Sequence, residues 1–149
     1  MTQSENRAER REGAVETDRN FGGWIAAAAL SGAVSVAAGA FAAHGLDPRA
    51  DAAAIGWLHT GSLYQALHAL AILVVVALTR LRLLAARPAV MAQSLFLTGA
   101  IVFPGALYGL ALHGPRWLGA VAPIGGTAMI LGWVTLAAAA LTPTKAKGA

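Results

Sequence analysis

The chain has 149 residues, of which 57% are hydrophobic and only 12% charged, and it contains no cysteine. A soluble domain carries about a quarter charged residues, so the composition argues against an ordinary soluble enzyme; the missing cysteines remove disulfides, thiolate metal centres, iron–sulfur clusters and a cysteine nucleophile. The formal charge of +4 would raise nucleic acid as a partner, but the placement of the charges points to a membrane instead.

A helix crosses the hydrocarbon core of a bilayer with about 20 apolar residues. Residues 1–20 mix acids and bases with almost no apolar content and are expected to form a disordered tail or a frayed helix. The spans are predicted over Phe21–Ala43, Trp57–Thr79, Gln93–Leu112 and Leu118–Leu141, and none contains Asp, Glu, Lys or Arg. Between the first two, Asp47 then Pro48 reads as the N-cap and first position of a short surface helix leading into span two. Arg80–Pro88 reads as a short basic hairpin, with Pro88 imposing a turn just before it. Pro104 should bend span three. Pro123 would let span four begin there, with Leu118–Ala122 as a loop. Residues 142–149 form a second tail. The helices are apolar all round rather than along one stripe, and the connections are short. Together these features predict an all-α, four-helix, up-down transmembrane bundle over 21–141. A cleaved signal peptide is the rival reading of span one, but its apolar run exceeds the usual length of such a segment.

Lys and Arg near span ends set orientation. The N-terminal tail holds Arg7, Arg10, Arg11 and Arg19, the middle connection Arg80, Arg82 and Arg87, and the C-terminal tail Lys145 and Lys147. The other two connections hold only Arg49 and Arg116. Both termini and the middle connection are therefore expected in the cytoplasm, with the Asp47 and His113 connections outside.

Inside lipid, close packing brings helices together, and small residues permit it. Span one carries Ser31, Ser35, Gly39 and Ala43 at a four-residue spacing, span three Gly105 and Gly109, and span four Gly125 and Gly126. These read as helix-packing seams, within the chain or between copies. Trp24, Trp57 and Trp117 fall at predicted water–lipid boundaries and read as interfacial anchors.

The few polar side chains within the spans gather toward the predicted outer half. Tyr64, Gln65 and His68 share one helical face, span one ends at His44, and span three carries Tyr108. Each needs a partner in hydrocarbon. His44, Tyr64, Gln65, His68 and Tyr108 are expected to converge, with His68 the most buried and neutral. The cluster reads first as an interhelical hydrogen-bond network, and alternatively as a pocket for a lipid, a quinone or a metal. His44, His59 and His113 share the outer boundary and are weak metal candidates. His68 lies deeper than they do, which disfavours a bis-histidine haem. No phosphate loop is present, the last acidic residue is Asp51, and no cofactor is implied. Transport, which normally uses intramembrane ionisable groups, has only His68 to draw on.

GAFAAHGL at Gly39–Leu46, TGSLYQALHALAIL at Thr60–Leu73, FPGALYGLAL at Phe103–Leu112 and APIGGTAMILGW at Ala122–Trp133 resemble the domain of unknown function 423 family. That family comprises small bacterial inner-membrane proteins of the YgdD type and the eukaryotic transmembrane protein 256. The resemblance covers Trp24 to Leu141. It implies His44, Tyr64, Gln65, His68, Tyr108, Pro123, Gly125 and Gly126 as signature positions, and a multi-pass protein of the bacterial inner membrane. Where the family's third block has serines, this chain has Pro104 and Ala106, so a role for hydroxyls there does not carry over. The resemblance implies no activity. With no catalytic constellation, the expected role is non-enzymatic: association in the bilayer, with a second copy or as an accessory subunit of a membrane complex. The alternatives are a binding or redox protein using the His/Tyr/Gln cluster, and a small transporter.

Overall fold

The computed structural model describes residues 3–49 and 51–142, with side chains from residue 21 onward. Among these residues there are four helices: α1 (Gln3–His44), α2 (Ala52–Arg80), α3 (Ala86–Ala111) and α4 (Leu118–Leu141). Each contains a stretch long and apolar enough to cross a membrane, starting at Phe21 in α1. Even the 24 residues of α4 extend about 36 Å, more than the ~30 Å hydrocarbon core. The backbone of 3–20, where disorder or fraying is expected, continues α1; the side chains there, and residues 143–149 of the second tail, lie outside the described residues.

Two helix starts differ from the sequence reading, each for a local reason, and α4 keeps the predicted bound at Leu118 without the later start that Pro123 would have allowed. Helix α2 begins at Ala52 with Asp51, not Asp47, at its N-cap. Asp47 instead closes a turn, its carboxylate accepting the Arg49 N–H at 2.9 Å while its carbonyl accepts the Asp51 N–H at 2.8 Å. A short acidic side chain that captures a donor two residues on favours a turn over a helix. Helix α3 begins at Ala86, so Pro88 lies in its first turn and not in the hairpin. The N–H that proline lacks there would have had no intrahelical partner. Helix α4 begins at Leu118 and carries Pro123 inside it. Three bonds spanning three residues, from Leu118 to Pro115, Gly119 to Arg116 and Ala120 to Trp117, tighten the entry, so only one helical bond, to Gly119, is lost to Pro123.

Two helices end in the same way. After α2 the Leu83 N–H bonds to the Leu78 carbonyl and the Arg82 N–H to that of Thr79. After α3 the Gly114 N–H bonds to Gly109 and the His113 N–H to Leu110. These paired bonds form the Schellman motif, which needs a left-handed residue. Arg82 (φ 59°) and His113 (φ 62°) fill that position where glycine is the unstrained choice.

The helices alternate in direction. A Cβ built on Gly39 would lie 3.5 Å from Ser62 Oγ, and Arg80 stacks its guanidinium 4.7 Å above the Phe21 ring, so α1 and α2 run antiparallel. Gly125 meets Phe103, and Gly132 meets Phe96 farther along, which makes α3 and α4 antiparallel too. The arrangement is more open than a closed bundle. Helices α2 and α3 form the centre, α1 packs on α2 with a lesser contact to α3, and α4 packs on α3. In α1 and α4 only 22% of the most apolar stretch is buried, against 44% in α2 and α3.

The packing seams use some of the small residues and not others. Ala28, Ser31, Ser35 and Ala42 are buried on one face of α1, whereas Ala43 is exposed. Helices α3 and α4 come closest at Gly125, where an added Cβ would meet the backbone nitrogen of Phe103. Gly109 lies against Leu118, Gly126 has ordinary clearance from the Phe103 ring, and nothing lies within 4 Å of a Cβ on Gly105. Trp24 packs on the core around Ile72, Val75 and Phe96, while Trp57 and Trp117 are exposed.

Three threonine hydroxyls along the spans are satisfied by their own helix: Thr79 donates to the Val75 carbonyl at 2.7 Å, Thr127 to Pro123 at 2.8 Å and Thr135 to Leu131 at 2.7 Å. Among the described residues, two buried polar atoms have no partner, Ser31 Oγ and Gln93 Nε2. Gln93 is 2% exposed, and an amide donor left unpaired in an apolar core costs about 1–3 kcal/mol. Methionine has similar bulk and no donor, so Gln93→Met is expected to stabilise the protein by about 1 kcal/mol in detergent unfolding. A destabilised variant would show that the amide is satisfied.

Candidate functional site

Helix α2 carries the polar face. At 3.6 residues per turn, Gly61, Gln65, His68 and Ile72 recur on one stripe, and all four are buried. The stripe faces α3, and at its two polar positions it makes one interhelical hydrogen bond each.

The first bond runs to α3. Tyr108 donates its phenolic O–H to Gln65 Oε1 at 2.8 Å. Gly61 makes room for this, because a Cβ there would sit 2.6 Å from the Tyr108 ring. The second runs to α4. Trp133 donates its indole N–H to His68 Nε2 at 3.2 Å, and His68 Nδ1 lies 2.7 Å from the Tyr64 carbonyl one turn back. A carbonyl only accepts and an indole N–H only donates. The bonds therefore assign the proton to Nδ1 and leave Nε2 bare: His68 is a neutral imidazole with both nitrogens occupied. At 4% exposed it is also the most buried of the five cluster residues.

Aromatic rings surround this imidazole. Phe96 and Trp133 lie 5.5 and 6.1 Å from it and 5.0 Å from each other, the last pair edge to face. Tyr64 stacks one turn away at 6.3 Å and meets Phe103 edge to face at 5.3 Å. These are favourable quadrupole geometries. Gly132 admits Phe96 to the seam, since a Cβ there would lie 2.6 Å from the ring.

Because α4 rests on α3, a groove of about 390 Å³ remains between α2 and α4. Tyr64, His68 and Trp133 form its aromatic part, and Leu67, Leu70, Ala71, Val74 and Leu136 its aliphatic part. Tyr64 is 43% exposed, and its hydroxyl makes no hydrogen bond to any described residue.

The expected five-residue cluster is thus two bonded pairs and an aromatic group, with one member displaced. His44 is exposed at the end of α1 and bonds to none of the described residues. The face of α1 that meets α2 runs through Ala42, and His44 lies two residues on, about 200° further round the helix. His44, His59 and His113 are all exposed, and no three His, Cys, Asp or Glu converge among the described residues, so a shared depth does not gather these weak metal candidates into a site. Nothing in the polar pattern of the sequence points to Trp133. The available signal was its position: 15 residues into span four, it is far from any interface, and an indole N–H at that depth in a bilayer needs an acceptor.

The family described as "Protein of unknown function (DUF423)" matches residues 38–126. The chain belongs to this family. A UPF0382 membrane protein of Haemophilus influenzae is 42% identical over 114 residues, covering 76% of this chain and 90% of that protein. The UPF0382 inner membrane protein YgdD of Escherichia coli K12 is 41% identical over 118 residues, covering 76% of this chain and 86% of YgdD. The Bacillus subtilis relative YwdK is 34% identical over 118 residues, covering 79% and 95%. No solved structure matches. With these relatives and four apolar helices, the chain is a multi-pass inner-membrane protein. The matched stretch contains Gln65, His68 and Tyr108 and stops short of Trp133.

Proposed function

We propose that this protein is a non-enzymatic binding protein that takes a small lipophilic molecule from the bilayer into the groove between α2 and α4. The observation that carries the reading is the groove itself. Its volume of about 390 Å³ falls in the range of small-molecule sites, roughly 300–1,000 Å³. Its exposed lining is almost wholly apolar, with Tyr64, His68 and Trp133 at one end, which suits a lipophile. A metal is not part of the reading, because both nitrogens of His68 are in use. Mass spectrometry of organic extracts tests it. Protein purified in mild detergent should retain a lipophile in near-stoichiometric amount, and Leu70→Trp, which fills the groove, should lose it. Identical extracts from the two proteins would sink the reading.

Association is the second reading, and one observation favours it: α4 has extensive contact only with α3 and leaves Ile124, Ile130, Leu131 and Val134 exposed. A second copy or another membrane protein seated there would appear as added mass of the detergent-free particle. Charge supports the orientation proposed for either reading. Arg80, Arg82 and Arg87 share one end of the helices, and Arg49 and Arg116 belong to the other. With both termini in the cytoplasm, a reporter fused after Lys147 should behave as cytoplasmic and one inserted near Arg49 as external. Reversed signals would overturn the assignment.

A further inference from the structure

We infer that the groove between α2 and α4 selects a molecule whose polar head is a neutral carbonyl, of the quinone class, held by the Tyr64 hydroxyl near the middle of the membrane. The inference rests on the groove reading above and adds the chemistry of the head.

Three observations lead to it. The first is donor accounting within the lining. The His68 Nδ1–H is used by the Tyr64 carbonyl and the Trp133 N–H by His68 Nε2. All the remaining lining residues are Leu, Ala or Val except Tyr64. The Tyr64 O–H is therefore the one side-chain donor of the lining without a partner among the described residues, and in hydrocarbon an unpaired O–H is costly. The second is depth. Helix α2 runs from Ala52 to Arg80, so its midpoint is Ala66 and Tyr64 lies about 3 Å from it along the axis. A phospholipid keeps its ester carbonyls and phosphate near the interface, roughly 15 Å from the centre of a ~30 Å core. The acceptor at Tyr64 must belong to a molecule whose head can enter the core. The third is charge. No Asp, Glu, Lys or Arg lies in the groove, so nothing there would neutralise a phosphate, a carboxylate or an amine.

Carbonyl and hydroxyl heads differ in how they use Tyr64. A phenol donating to a carbonyl leaves no donor unpaired, whereas two hydroxyls meeting in one contact bring two protons and bond only one. A conjugated carbonyl ring also offers a flat face to the Tyr64 and Trp133 rings. From Tyr64 the lining continues along Leu67, Leu70 and Val74, about 15 Å of helix, which suits an alkyl or prenyl tail directed toward the Arg80 end.

The full chain reconstituted in lipid nanodiscs provides the test, with decyl-1,4-benzoquinone as the carbonyl probe and decylbenzene as the probe without one. Saturable uptake above that of empty discs is expected for the quinone. Tyr64→Phe should weaken it about tenfold, the worth of one hydrogen bond, and leave decylbenzene uptake unchanged. Equal quinone affinity in the wild type and Tyr64→Phe would overturn the carbonyl assignment, while saturable uptake abolished by Leu70→Trp would still uphold the groove. No saturable uptake of either probe would remove both. Tyr64→Phe and Leu70→Trp are first compared with the wild type by thermal unfolding, and Leu67→Phe replaces the second if it fails to fold.

Discussion

Substituting Gly125 is expected to open the seam between α3 and α4 and to have the largest effect of any single change to a glycine in this protein. A methyl group there would meet the Phe103 backbone nitrogen and lie 2.8 Å from its Cα. Backbone atoms in a helix cannot rotate aside as a side-chain tip can, so the helices must separate. Overpacking of this kind costs about 1–3 kcal/mol, occasionally more, and Gly125→Val should exceed Gly125→Ala. The damage extends beyond the seam because α4 has no other extensive neighbour: moving it withdraws Trp133 from His68. Gly105→Ala is the matched control. Nothing lies within 4 Å of its added methyl, and alanine is the better helix former by about 0.5–1 kcal/mol. Unfolding in detergent should show Gly105→Ala at least as stable as the parent and Gly125→Ala clearly less so. Equal stability of the two variants would mean that the α3–α4 contact is looser than described.

The contrast between these two glycines shows what the sequence can and cannot convey. The four spans were legible because the membrane imposes a length and bars charge, and both leave a mark on every residue of a segment. The shared face of Tyr64, Gln65 and His68 was legible because helical periodicity needs only one helix to be read, although the buried stripe passes through Gly61 and leaves Tyr64 half-exposed. Which stripe faces which neighbour depends on the phase between two helices, and a single sequence does not carry that phase. Gly105 and Gly125 therefore looked alike, and His44 was grouped with residues from which the winding of α1 turns it away. Local chemistry misled at Asp47, Pro88 and Pro123, where a capping or breaking residue is compatible with two outcomes. A proline in the first turn, such as Pro88, loses little, and Pro123 inside α4 gives up a single helical bond, so neither proline set the boundary expected of it. Trp133 was hidden among apolar neighbours because an indole is counted as hydrophobic although it carries a donor.

Removal of His68 separates that pair from its surroundings. His68→Leu keeps similar bulk in a nearly closed site but leaves the Trp133 N–H without its acceptor, for an expected loss of about 1–3 kcal/mol. Trp133→Phe removes the donor and leaves His68 Nε2 bare. Because the two side chains share one bond at 3.2 Å, the double variant should be less destabilised than the sum of the singles. The shortfall should be about 0.5–2 kcal/mol, in line with interhelical hydrogen bonds in membrane proteins. The Tyr108–Gln65 bond supplies the comparison. Tyr108→Phe removes only a hydroxyl from a half-buried site, and its effect should add independently to that of His68→Leu. This follows because the two bonds share no atom and join α2 to different helices. Strict additivity of His68→Leu with Trp133→Phe would show that α2 and α4 are not bonded through this pair.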